Sequence, residues 1–421
     1  MADLSTDPYK GVRDFYPADW ARMQAMFTRM RATLAAWGYE EYAASPLERT
    51  ELYEAKTSDE IVNEQTYTFT DRGDRSVTLR PEMTPTLARM VAGKRGELAF
   101  PLRWFSIPNV FRYERPQKGR LREHYQLNVD LVGAAGSEAD LEVITLASNL
   151  LKAFGAKESN FIIRVNSRAL LTNACSVAAL SPDATREYLR LLDKKAKMPP
   201  EDFAIAQSAI TSRDPLAIVN DASEYPEVAE QKRALLDTIT ALAVRGVNNA
   251  VFDPTLTRGF DYYTGIVFEI FDTNPANPRS LFGGGRFDRL VTLFGGVAIP
   301  AIGFGMGDVT LADFLATHDL TPSSGDEKPE LYLGTPTSAD IPAAQSFAAT
   351  LRAEGSRVFV NLTERALGDQ IRDAVKRGIP NFAAYGADEV ASGTLRMKTL
   401  ATSEEAVLPF SELPALLRAH H

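Results

Sequence analysis

The segment Phe111–Gly133, FRYERPQKGRLREHYQLNVDLVG, constrains the fold more than any other stretch. Tyr125, Leu127, Val129 and Leu131 alternate with Gln126, Asn128 and Asp130. A period of two belongs to a strand with one face in a core. Ahead of it, Phe111 and Tyr113 point one way while Arg112 and Glu114 point the other. The loop Arg115–Arg122 holds Pro116, Gly119 and the cations Arg115, Lys118, Arg120 and Arg122, and is too long for a two-residue hairpin turn. The pattern predicts a sheet that is apolar on one side and lined with hydrogen-bonding groups on the other, beneath a cationic loop. Such a surface suits a small polar substrate together with a phosphate ester. A solvated hairpin with one wet face satisfies the same periodicity.

At 421 residues the chain has room for two or three domains, and 45% hydrophobic with 24% charged residues is ordinary for a globular protein. A net charge of −9 means that any nucleic-acid contact must use local basic patches. The single cysteine, Cys175, excludes an intrachain disulfide framework and a Cys-based zinc site. Histidines at 124, 318, 420 and 421 form no evident metal cluster, so no protein-bound metal is expected. The N-terminus lacks an apolar signal core and no apolar run is long enough to span a bilayer, which points to the cytoplasm and no membrane partner.

Along the chain, Met23, Met26, Phe27, Met30 and Leu34 predict an amphipathic helix that Gly38 ends. Tyr39–Ala44 reads as a strand stopped by Pro46. Tyr67–Leu79 reads as a hairpin around Arg72-Gly73-Asp74, followed by a helix from about Thr84 with Leu87 and Met90 inward. Glu82 and Thr84 fall at that strand-to-helix junction, where side chains and free N–H groups either face a ligand or cap the helix. Ser137–Phe154 has helical spacing and Phe161–Asn166 is a strand. Residues 168–247 read as helices punctuated by Pro182, Pro199-Pro200 and Pro215. Strand character returns over Val251–Phe271, Ser280–Leu290 and the glycine-rich Ala301–Leu315. Residues 321–329, rich in Pro, Ser, Gly and charge, form a linker, and strands alternating with helices over 330–421 predict an α/β unit with an at least partly parallel sheet.

Several of these segments resemble, in order, the motifs of a known family. FRYER followed by GRLRE and Gln126-x-x-x-Asp130 resembles motif 2 of the class II aminoacyl-tRNA synthetases, and its ERPQKGR loop resembles that of the histidyl enzymes. TRGFDYYTG, residues 257–265, resembles the family's histidine-binding motif, and SLFGGGRFDRL its companion. The helix, strand and Pro46 near the N-terminus resemble motif 1, a dimer interface in that class, and GADEVASGTLRMKTL resembles an anticodon-binding domain, where Arg365, Arg372, Lys376, Arg377, Arg396 and Lys398 supply local positive charge.

The resemblance implies an α+β catalytic core over 1–320, an antiparallel sheet flanked by helices, with a helical insertion at about 168–247 and an anticodon-binding α/β domain at 330–421. It implies ATP-dependent activation of histidine to histidyl-adenylate, transfer to tRNA(His), Mg²⁺ accompanying ATP, and a homodimer built partly on the apolar face of the first helix. By the same resemblance Arg112 and Arg258 act on the α-phosphate. Glu82, Thr84, Gln126, Asp130, Tyr262 and Tyr263 line the histidine pocket. Glu114, Arg120 and His124 serve ATP. The chain departs from the pattern in motif 3, where Thr310 stands in place of an arginine on the γ-phosphate. Arg286 beside the glycines, or Arg120 or Arg122 in the loop, are the candidate replacements, although Arg286 can equally pair with Asp288 or Asp308. A catalytically silent paralogue, such as the regulatory subunit of ATP phosphoribosyltransferase, is the alternative.

Overall fold

A computed structural model describes residues 4–54, 65–115, 119–258, 262–323 and 328–418. Pro116 and Lys118 of the cationic loop, residues 259–261 of TRGFDYYTG, residues 324–327 of the expected linker, and His420 and His421 lie outside the described residues. Chain contacts divide the molecule into two compact units between Ser323 and Ser324.

The strands of the first unit, in chain order, are β1 (Glu40–Glu41), β2 (Leu47–Arg49), β3 (Tyr67–Thr70), β4 (Ser76–Leu79), β5 (Leu102–Ser106), β6 (Asn109–Phe111), β7 (Glu123–Val132), β8 (Phe161–Ser167), β9 (Ala250–Phe252), β10 (Ile266–Asp272), β11 (Ser280–Arg286) and β12 (Ala301–Gly307). Nine of them form one sheet in the order β1-β5-β7-β12-β11-β10-β8-β9, with β6 also paired to β7. Only the outer pairs β1–β5 and β8–β9 are parallel. The helical segment between β8 and β9 supplies the long crossover that a parallel pair requires. β2, β4 and β3 make a small separate sheet.

The alternation in β7 sorts the large sheet into two chemically opposite faces. On one face Leu127, Val129 and Leu131 join Ile302, Phe304, Met306, Phe268, Ile270, Ile163 and Val165 in a single buried cluster. The helices Pro17–Ala36 and Ser137–Ala153 cover that face, adding Met23, Met26, Phe27, Met30, Leu34, Val143, Ile144 and Leu150. The apolar stripe of the first helix is therefore spent within its own chain and is not free to meet a second copy, which corrects the expectation placed on it. Register puts Gln126, Asn128 and Asp130 opposite Gly307, Gly305 and Gly303, and Gly305 and Gly303 opposite Gly283 and Gly285. The second face is thus a glycine floor with a polar row along one side.

The expected strand Tyr39–Ala44 shrinks to β1, because it pairs only with Trp104 and Phe105 at the sheet edge before the chain turns into the small sheet. The helix after Glu82 runs Thr84–Lys94, with Met83, Leu87, Ala88 and Val91 buried and Met90 only half-buried. In the insertion Pro182, Pro200 and Pro215 each stand in the first turn of a helix, where the missing N–H costs nothing.

The second unit is a five-stranded sheet. Its strands Leu331–Gly334, Val358–Val360 and Asn381–Ala384 are parallel, while Thr394–Thr399 and Glu405–Pro409 add on antiparallel. Among the described residues no helix is long and apolar enough to cross a membrane.

Candidate active site

The polar face opens into a cavity of about 150 Å³. Glu82, Thr84, Arg112, Gln126, Asp130, Arg258, Tyr262 and Tyr263 all line it, so every residue expected in the histidine pocket and both expected catalytic arginines converge there. The floor exists because the cavity-facing positions of β11 and β12 are glycines. A Cβ on Gly303 would meet Asp130 Oδ1 at 2.2 Å, one on Gly305 would meet Gln126 Nε2 at 2.5 Å, and one on Gly283 would meet Arg258 Nη1 at 2.1 Å. Each separation is far inside van der Waals contact.

Glu82 is buried at the end of a segment anchored by Arg80, which donates to Asn109 O at 2.8 Å and Ala44 O at 2.7 Å. Tyr262 Oη donates to Glu82 Oε2 at 3.2 Å, and burial beside that carboxylate holds the phenol well above its usual pKa. Arg112 Nε donates to Pro81 O at 2.9 Å, which fixes its guanidinium at the cavity wall. Gln126 Nε2 donates to Asn128 Oδ1 at 2.6 Å, so the amides orient each other. Asp130 accepts no hydrogen bond among the described residues, and burial pushes its pKa up to about 8. Arg258 adopts a left-handed backbone, φ 58°, which costs roughly 1–2 kcal/mol for a residue with a Cβ. Its Nη1 has only long contacts, 3.3 Å to Glu269 Oε1 and 3.4 Å to Phe268 O, and its buried Nε has no partner among the described residues.

The remaining expected residues sit outside the cavity wall. His124 continues the polar row of β7 beyond Gln126 and is half-buried. Burial and the neighbouring Arg112 and Arg13 hold its pKa down to about 3, so the imidazole is neutral. Glu114 is buried and forms an ion pair with Arg120, Oε2 to Nε 3.1 Å, at the loop end of β7. Arg122 lies 4.0 Å over the Tyr113 ring and donates to Glu114 O at 3.1 Å, so it is committed to holding the loop.

Arg286, expected beside the outer phosphates, does not line the cavity. It pairs in register with Ile302, on the face opposite Gly283 and Gly285. There its Nη2 meets Asp140 Oδ1 at 2.7 Å, its Nη1 meets Asp288 Oδ1 at 3.2 Å, and it also donates to Ala134 O and Gly136 O. One step along a strand reverses the face, so flexible glycines next door give it no route to the cavity. Asp308 is not its partner, being held by Arg13 Nη2 at 2.7 Å and by Tyr125 N–H at 2.9 Å. Thr310 stands in the first turn of helix Asp308–Thr317, its hydroxyl donating to Leu281 O at 2.7 Å.

Sequence reasoning did not select Asn128, Glu269 or Ser280, which also line the cavity. Asn128 lay in the polar row already recognised. Glu269 is the one charged residue in the otherwise apolar run IVFEIF, and a lone charge on a buried strand was a usable signal. In the second unit, Arg377 pairs with Asp373 at 2.8 Å, Arg372 with Asp369, and Arg396 and Lys398 each approach Glu405 at 3.7 Å. Much of the positive charge expected there is locally balanced.

A polar cavity on an antiparallel sheet, flanked by arginines, in a chain that also carries a separate α/β unit, defines a class of protein that known structures share. The fold matches the apo histidyl-tRNA synthetase of S. aureus with a TM-score of 0.76 at 22% identity, covering 99% of this chain and 100% of the other. It also matches a Bacillus halodurans protein described as an ATP phosphoribosyltransferase regulatory subunit/histidyl-tRNA synthetase, with a TM-score of 0.67 at 24% identity over 85% of this chain and 93% of that one. Likeness at these identities establishes the fold alone. A family model described as histidyl-tRNA synthetase matches residues 11–309, and one described as anticodon binding domain matches 331–420. A histidine–tRNA ligase of Leptospira biflexa is 40% identical over 424 residues, covering 97% of this chain and 96% of the relative. The chain belongs to the histidyl-tRNA synthetase family.

Proposed function

We propose that this chain is a histidine–tRNA ligase that activates histidine with ATP and passes the histidyl group to the terminal adenosine of tRNA(His). The observation that supports this most is the convergence of Glu82, Gln126, Asp130 and Tyr263 with Arg112 and Arg258 around one cavity. Neutral imidazole offers one N–H donor and one acceptor beside a charged ammonium, and these side chains supply matching acceptors and a hydroxyl. In the first step a histidine carboxylate oxygen bonds to the α-phosphorus and the bond to pyrophosphate breaks. Arg112 and Arg258 neutralise charge that grows on the α-phosphate oxygens, as preorganised cations in a buried site do efficiently. In the second, a hydroxyl of the terminal adenosine attacks the carbonyl and AMP leaves.

Glu114, Arg120 and His124 flank the loop end of β7, where ATP extends from the cavity in this reading. A neutral His124 stacks on adenine without adding charge. Mg²⁺ accompanies ATP in this reading and would be held mostly by the phosphates. It supplies charge neutralisation to the leaving pyrophosphate. The silent-paralogue reading is weaker because full-length identity to a ligase extends through the second unit. That unit takes the anticodon and the enzyme works in the cytoplasm. A homodimer remains part of this reading, now carried by the edge strand β1 and the exposed Leu47 and Phe69 of the small sheet rather than by the first helix. Sedimentation at micromolar concentration is expected to show a dimer, and a fully active monomer rejects it.

The deciding measurement is ATP–pyrophosphate exchange. It is expected to depend on histidine alone among the standard amino acids, and equal exchange with proline or threonine overturns the assignment.

A further inference from the structure

Thr310 leaves the start of helix Asp308–Thr317 without a cation, and its single hydroxyl hydrogen is already spent on Leu281 O at 2.7 Å. A triphosphate entering beside it still carries charge that something must balance. The cations nearby divide by what they already hold. Arg13 is bound to Asp308, Arg120 to Glu114, Arg122 stacks on Tyr113, and Arg286 points to the other face of the sheet. One further arginine touches the same spot. The position that a Cβ would take on Gly119, in the loop ahead of β7, lies 3.9 Å from Thr310 Cγ2 and 3.9 Å from Arg279 Cδ.

Arg279 immediately precedes β11, whose first residue, Ser280, lines the cavity. It is exposed and makes no ion pair or hydrogen bond among the described residues. The Thr310 hydroxyl donates to the carbonyl of Leu281, two residues after Arg279, so a side-chain-to-backbone hydrogen bond ties the helix start to the strand that Arg279 leads into.

We infer that Arg279 is the phosphate-binding residue that takes the outer phosphates of ATP in place of the cation absent at position 310. This rests on the ligase reading, under which ATP enters the cavity mouth along the loop end of β7. A planar guanidinium delivered from the strand start does the work of one delivered from the helix start, since a phosphate responds to the position and orientation of the donors and not to the element that bears them.

The test is steady-state pyrophosphate exchange combined with calorimetric binding of ATP and of inorganic pyrophosphate to the full-length protein. Arg279→Ala is expected to raise the KM for ATP about ten- to a hundredfold, the scale of one lost charged hydrogen-bonding partner, while the KM for histidine moves less than about twofold. Arg279→Lys is expected to fall between the two, because it keeps the charge and loses the fork. Thr310→Arg placed on the Arg279→Ala background is expected to recover ATP affinity, a rescue that a merely structural Arg279 would not show. Unchanged ATP kinetics in Arg279→Ala overturn the inference, as does a parallel loss of ATP and histidine binding or a full ATP defect in Arg115→Ala in its place. If the unmodified protein exchanges no pyrophosphate with histidine but loses ATP and pyrophosphate binding on Arg279→Ala, the ligase reading fails and the Arg279 assignment stands.

Discussion

Arg258 and Arg286 sit on opposite faces of the same sheet, and both are buried, with side chains 13% and 8% exposed. Arg286 is saturated by Asp140, Asp288 and two carbonyls, at distances of 2.7 to 3.2 Å. Arg258 has long contacts to Glu269 Oε1 and Phe268 O at 3.3 and 3.4 Å, lies beside the Tyr263 ring, and carries an Nε with no partner among the described residues on a left-handed backbone. A buried guanidinium whose donors are all used holds structure together. One kept in strain with long contacts and an unpaired Nε adds little to structure, which is the state expected of a cation that serves a ligand. The neighbouring carboxylates follow the same division. Asp140, facing Arg286, is paired, whereas Asp130 on the cavity side accepts nothing among the described residues.

The sharpest break of this contrast is Arg286→Ala. It leaves Asp140 buried without its partner and is expected to cost about 3–5 kcal/mol of stability, read from denaturant unfolding, with the ATP KM of the folded enzyme unchanged. A raised ATP KM with normal stability would return Arg286 to the active site. Arg258→Ala reverses the pattern. It is expected to lower kcat for adenylate formation by roughly 10²–10³, with a smaller change in histidine KM and with Tm held or slightly raised as the strained, under-bonded group leaves. Near-normal kcat would remove Arg258 from the mechanism.

Gly283→Ala probes the floor that lets Arg258 lie flat. The new methyl would stand 2.1 Å from Nη1 and 2.3 Å from Phe268 O, so a loss of about 1–3 kcal/mol and a displaced Arg258 are expected, with kcat falling further than stability alone explains. An unimpaired variant would show that the floor has slack. The smallest effect is on pH dependence. Asp130 titrates near 8 when folded and near 4 when unfolded, so the folded state binds the extra proton across that window and its stability declines as pH rises from about 4 to about 8. Asp130→Asn is expected to flatten that decline in ligand-free Tm profiles and to weaken histidine binding. A variant whose Tm falls with pH as steeply as the parent would place the titration elsewhere.

Much of this site was legible before any fold existed. The alternation in β7 named the polar row Gln126, Asn128 and Asp130, because a strand's period of two is local geometry, while His124 came from the motif resemblance. The motif resemblance located Glu82, Arg112, Arg258 and the tyrosines, and the same reading separated the second α/β unit from the first. Arg286 was misplaced because adjacency in sequence was taken for adjacency in space, although the parity of the strand already opposed it. The first helix was rightly read as amphipathic, but amphipathicity says only that a face must be covered and not by what. Its own sheet and the helix Ser137–Ala153 cover it.

Sequence by itself determined which residues are polar or apolar and on which side of each strand they fall, since alternation and helical spacing are properties of consecutive residues. Tertiary structure alone decided which cations remain available. Whether an arginine is spent depends on carboxylates far away in the chain, as Asp140 is from Arg286 and Asp308 from Arg13. The same is true of Arg279, which comes beside Gly119, as Thr310 does, only after strand, helix and loop have been packed around one point, and no local pattern encodes that meeting.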